Sequence, residues 1–99
     1  MILFNITVLT DESIHEELKS WILEDFIPAV TKDEVFISQS LLKILNSPNE
    51  GVTYSLQFVA ENEDIINQFR TSRLPTLHSK AHKEYANKVY LVESIMEYQ

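Results

Sequence analysis

Residues Val52–Ala60 alternate strictly, and this period of two constrains the chain more than any other feature. Val52, Tyr54, Leu56, Phe58 and Ala60 fall on one side; Thr53, Ser55, Gln57 and Val59 fall on the other. Successive strand side chains point to opposite faces, so the segment predicts a strand with one dry face and one mixed face. Residues 2–9 repeat the pattern. Ile2, Phe4, Ile6 and Val8 share one face, and Leu3, Asn5, Thr7 and Leu9 share the other. Residues 89–98 close the chain as a further strand, with Tyr90, Val92, Ser94, Met96 and Tyr98 on one side. Residues 35–45 read as a long strand, although the apolar pairs Leu41-Leu42 and Ile44-Leu45 also allow a helical turn over residues 40–46. Asn46 to Gly51 is a dense turn signal that would join this segment to Val52–Ala60 as a hairpin.

Helical spacing lies between the strands. Asp11 or Ser13 can cap a first helix, with Glu16 three residues after Ser13 as in a capping box. Ile14, Leu18, Trp21, Ile22 and Phe26 form its apolar stripe, and Trp21 is expected in the core. Pro28 biases Ile27 away from the α region, which predicts an end near Phe26 and one further turn over residues 29–32. A second helix is expected over residues 61–72. Acids at its start suit the positive end of the helix dipole, and Ile65, Ile66 and Phe69 form its stripe. Pro75 can open a further helical segment reaching about Tyr85.

The order is therefore β-α-β-β-α-β, an α+β chain that 99 residues would fold as one domain, 1–99. Two helices cannot cover both faces of a four-stranded sheet. One face takes the helices, and the other must meet water or a partner. On that second face Asn5, Thr7, Ser55 and Gln57 stand among Leu3, Leu9 and Val59. A half-polar face of this kind suits a lined cleft, and two such sheets facing each other would hide the surplus apolar surface. A homodimer through the sheet face is the expectation.

Charge and composition exclude several classes. Eight bases against fifteen acids give a net charge of −7, which repels a phosphate backbone and argues against nucleic acid as a partner. RNA-binding domains with the same element order stack bases on central-strand aromatics amid Lys and Arg. Val52–Ala60 carries Tyr54 and Phe58 but no basic residue. The absence of cysteine removes disulfides, thiolate metal sites and cysteine nucleophiles. No apolar run approaches the ~18 residues of a membrane helix. Met1-Ile2-Leu3-Phe4 lacks the basic start of a secretory leader. No membrane partner and a cytoplasmic location are the resulting expectations.

Two stretches carry a resemblance. They are Asp11-Glu12-Ser13-Ile14-His15-Glu16-Glu17-Leu18-Lys19-Ser20-Trp21 with Phe26-Ile27-Pro28, and Gly51-Val52-Thr53-Tyr54-Ser55-Leu56-Gln57-Phe58. Together they resemble a family of short uncharacterised bacterial proteins described as a domain of unknown function, over nearly the whole chain. The resemblance implies a ferredoxin-like fold of the dimeric α/β-barrel type, a four-stranded antiparallel sheet with two helices on one face. It implies no activity. Family members often carry His where this chain has Phe26, so any role resting on that His is absent.

Few residues point to chemistry. His15 falls in the first turn of the first helix, where the dipole disfavours the charged ring and leaves it able to accept a proton; a plain surface residue would look the same. His78 and His82 are four apart and share a helix face, yet no third ligand stands at a matching spacing, so no metal site is assigned and a solvated face is the simpler reading. Asn5 and Gln57 project from the expected cleft face. A weaker similarity links Asn5, Phe69 and His78 to cofactor-independent haem-degrading monooxygenases of the same barrel fold, which place an Asn, a Trp and a His in comparable positions. Phe69 cannot reproduce the indole of that Trp. No glycine-rich phosphate loop or Gly-x-Ser-x-Gly is present, and no cofactor is implied. Acylphosphatases share the element order but need an Arg after the first strand, where Thr10-Asp11-Glu12-Ser13 supplies acids. Three functions remain: a homodimer binding a small ligand at Asn5, His15, Gln57, Phe69 or His78; a small barrel enzyme acting on an aromatic or haem-like substrate; and a subunit that docks another protein through the same face.

Overall fold

A computed structural model describes residues 1–32, 35–48 and 50–99. The chain runs β1 (Ile2–Thr10), α1 (His15–Trp21), a π-helical turn (Ile22–Phe26), α2 (Ile27–Thr31), β2 (Ser38–Lys43) and β3 (Val52–Ala60). It continues through α3 (Glu63–Ser72), α4 (Leu74–Ser79), a second π-helical turn (Lys80–Glu84) and β4 (Val89–Glu97). All strand pairings are antiparallel, in the order β2-β3-β1-β4. This is the expected α+β, ferredoxin-like arrangement.

The alternation in β1 and β3 becomes a layer boundary. Register places Phe4 opposite Phe58, Ile6 opposite Leu56 and Val8 opposite Tyr54, all buried beneath the helices. Phe69 of α3 sits at the centre of that layer, 4.9 Å from the ring of Phe58, 5.5 Å from Phe36, 5.9 Å from Phe4 and 6.2 Å from Phe26. Mostly edge-on and tilted contacts of this kind each add about 0.5–1.5 kcal/mol beyond the area they bury. Thr10, one of the few buried polar residues, donates its hydroxyl to the Val52 carbonyl at 2.8 Å.

Several local expectations are corrected. The helix does not stop at Phe26. The Ile27 N–H reaches back five residues to the Ile22 carbonyl, and this widened turn accommodates Pro28 within the first turn of α2. The Ser13–Glu16 capping box does not form. Ile14 occupies the N-cap of α1 without a side-chain bond, while Asp11 Oδ2 accepts from the Ser13 backbone and hydroxyl in a turn before the helix. α3 starts at Glu63, two residues later than expected, because Asn62 caps it by accepting from the Ile65 N–H at 3.2 Å.

The strand expected over residues 35–45 is shorter. β2 spans Ser38–Lys43, and single backbone bonds from Ile37 to Val59 and from Ile44 to Thr53 prolong it at each end. Phe36 packs instead into the aromatic cluster, and the ladder to β3 excludes the helical alternative for residues 40–43. The hairpin is present, although Asn49 of its expected turn lies outside the described residues. β4 ends at Glu97, but the Tyr98 N–H still reaches the Met1 carbonyl at 3.0 Å. Trp21 is only half-buried. It stacks on Phe26 and lines a groove of about 490 Å³ with Pro75, Ser79 and Lys80.

Candidate functional site

The face of the sheet away from the helices is open. Register aligns Ser94 of β4, Asn5 of β1, Gln57 of β3 and Ser40 of β2 in one polar row across all four strands. The next row runs Val92, Thr7, Ser55 and Leu42. Within these two rows the side chains form a hydrogen-bonded path. Gln57 Nε2 donates to Ser55 Oγ at 3.0 Å, Ser55 Oγ donates to Asn5 Oδ1, and Asn5 Nδ2 donates to Thr7 Oγ1 at 3.0 Å. All four residues are half-buried. The path uses the Ser55 proton internally. It leaves the Gln57 side-chain oxygen and the Thr7 hydroxyl proton as an acceptor and a donor towards a ligand.

The rim of this face is apolar. Tyr90, Val92, Met96 and Leu42 are 61%, 53%, 45% and 47% exposed. No charged residue occupies any open-face position of the four strands, although 23% of the chain is charged. The charges of β4 and of the end of β2, Glu93, Glu97 and Lys43, pair with Ile6, Ile2 and Tyr54 and therefore point to the helix side.

The structure brings Asn5 and Gln57 together and places the other three candidates on the opposite side of the sheet. His15, at the start of α1, puts Nδ1 2.9 Å from the hydroxyl of the buried Tyr54. Burial pushes the Tyr54 phenol above its ordinary pKa, and Lys19 opposes that shift. Phe69 is 3% exposed and belongs to the core cluster, not to a ligand platform. His78 Nε2 lies 3.0 Å from Glu93 Oε2 of β4, and its Nδ1 faces His82 Nε2 at 3.5 Å. Asn5, Phe69 and His78 therefore do not converge on one space, so the haem-degrading arrangement is not assembled. Glu93 was missed in the sequence because its partner is set only by strand register. Ser40 and Ser94 of the polar row were missed for the same reason.

Among the described residues no group of three or more His, Asp or Glu is arranged to hold a metal ion. Among them, too, no helix is long and apolar enough to cross a membrane.

Comparison with known proteins is consistent with this geometry. A family model, Domain of unknown function (DUF4286), matches residues 1–99. No functionally curated protein matches the chain. Among solved structures, a putative antibiotic biosynthesis monooxygenase from Deinococcus radiodurans superimposes with a TM-score of 0.77 at 13% identity, covering 100% of this chain and 93% of that one. An EthD family protein from Bacillus halodurans gives 0.68 at 16% identity, covering 100% of both chains. At these identities the likeness concerns the fold.

Proposed function

The chain belongs to the DUF4286 family, and from that premise we propose that it works as a homodimer whose two open sheet faces enclose a cleft for a small polar ligand. The observation that carries this reading is the hydrogen-bonded path from Gln57 to Thr7 at the centre of an uncharged, apolar-rimmed face. Two copies of a chain with net charge −7 repel through most surfaces. They can approach through this one because it carries no charge.

Three gaps of about 4.8 Å and nine residues at about 3.3 Å give a face of roughly 14 by 30 Å in backbone outline. That outline is about 420 Å², roughly half of the ~800 Å² per partner of a standard interface, and the exposed side chains at its rim add to it. A central polar path in such an interface must be satisfied, by the partner's own path or by a ligand offering both a donor and an acceptor.

Size-exclusion chromatography with light scattering at tens of micromolar should give twice the 11.5 kDa chain mass; a monomer there defeats the proposal. Native mass spectrometry of the purified dimer should show a retained small molecule that Gln57→Leu releases while the dimer persists. The oxygenase activity named for the Deinococcus protein has less support here, because Asn5 and His78 lie on opposite sides of the sheet.

A further inference from the structure

We propose that His78 and His82 form a binding site for a divalent transition-metal ion of the zinc–nickel–copper group, with Glu93 as the carboxylate that orients it. The site lies on the helix side of the sheet, away from the ligand face, and is independent of it.

Two geometric facts support it. His78 Nδ1 and His82 Nε2 face each other at 3.5 Å. That exceeds the ordinary 2.7–3.2 Å range of a hydrogen bond. It matches the separation of about 3.3 Å expected for two nitrogens each about 2.05 Å from one tetrahedral zinc ion. The ring centroids are 5.6 Å apart with an interplanar angle of 23°, so the rings meet edge to edge, and a modest rotation of each turns both nitrogens towards one ion. Finally, His78 Nε2 lies 3.0 Å from Glu93 Oε2. A carboxylate there keeps the proton on Nε2 and leaves Nδ1 bare. It is the carboxylate–histidine–metal relay that fixes the tautomer and raises ligand basicity in metal sites.

Arg70 Nε stands 4.0 Å from Glu93 Oε1, an ion-pair distance without a hydrogen bond. His82 is exposed and His78 half-buried, so solvent can complete the coordination. Imidazole pairs suit zinc, nickel and copper and disfavour magnesium and calcium.

The test is calorimetric titration of tag-free protein with Zn²⁺ and with Ni²⁺, repeated on His82→Ala and Glu93→Gln. His82 is exposed, so its removal should leave the fold intact, which circular dichroism will check. Wild type should bind one ion per chain, His82→Ala should bind at least tenfold more weakly, and Glu93→Gln should lose about ten- to a hundredfold. Mg²⁺ should not compete. Equal binding by wild type and His82→Ala would overturn the site. Unchanged binding in Glu93→Gln would overturn the relay.

Discussion

The Nδ1 atom of His15 lies 2.9 Å from the hydroxyl oxygen of Tyr54, and the two rings stack with centroids 6.3 Å apart. This contact ties the first turn of α1 to β3 across the layer between helices and sheet. In the tautomer that leaves Nδ1 bare, the phenol O–H donates a hydrogen bond to it. The buried phenol would otherwise be left without a partner. His15→Ala should therefore cost about 1–3 kcal/mol, and Tyr54→Phe with its partner retained about 1 kcal/mol, measured by urea denaturation.

The same phenol predicts an alkaline transition. Burial raises its folded pKa above the usual 10.0. The unfolded chain then loses that proton first as pH rises. The contribution to stability is full below pH 10.0, declines as pH rises through the unfolded value and is lost beyond the folded one. Denaturant midpoints measured between pH 9 and 11 should fall more steeply in wild type than in Tyr54→Phe. Equal slopes would mean that this phenol does not govern the transition.

Gly51 is irreplaceable for a local reason. Its φ is +78°, and an added Cβ would stand 2.2 Å from the carbonyl oxygen of Thr10. That atom is backbone at the end of a central strand and has nowhere to move. Gly51→Ala should destabilise by more than the ~1 kcal/mol of positive φ alone. For a domain of this size each kcal/mol corresponds to about 4–8 °C in thermal midpoint. A midpoint within 2 °C of wild type would contradict the clash.

Phe69 touches four other phenylalanine rings and is nearly fully buried. Phe69→Ala should cost about 3–5 kcal/mol by urea titration, through lost burial and the cavity left behind. If instead Phe69 served as a ligand platform, Phe69→Ala would impair binding with little loss of stability.

On the open face, Val92→Glu places a carboxylate in the row shared with Thr7 and Ser55. In a face-to-face dimer two copies of that charge enter one interface. The variant should be monomeric by light scattering at concentrations where wild type is dimeric, while its circular dichroism is unchanged. A fully dimeric Val92→Glu would move the interface elsewhere.

Much of the fold was legible before any coordinates. The period of two in residues 2–9 and in Val52–Ala60 placed nine side chains on the buried face, because strand geometry leaves only two choices for each residue. The order of elements followed from switches between periods of 2 and 3.6. Charge and the lack of cysteine narrowed the classes of function.

Tertiary structure decided what depends on long-range register and on where helices lie. Nothing local told that the chain would pass through Pro28 by a π-helical turn, since the relief comes from a carbonyl–amide shift one turn earlier. Nothing local paired Glu93 with His78, or separated His78 from Asn5 by the thickness of the sheet. Sequence spacing determines which face a residue occupies, while only the packed layers determine which residues from distant segments meet there. Of the five candidate residues, Asn5 and Gln57 therefore share one polar path, and His15, Phe69 and His78 stand apart from it on the helix side.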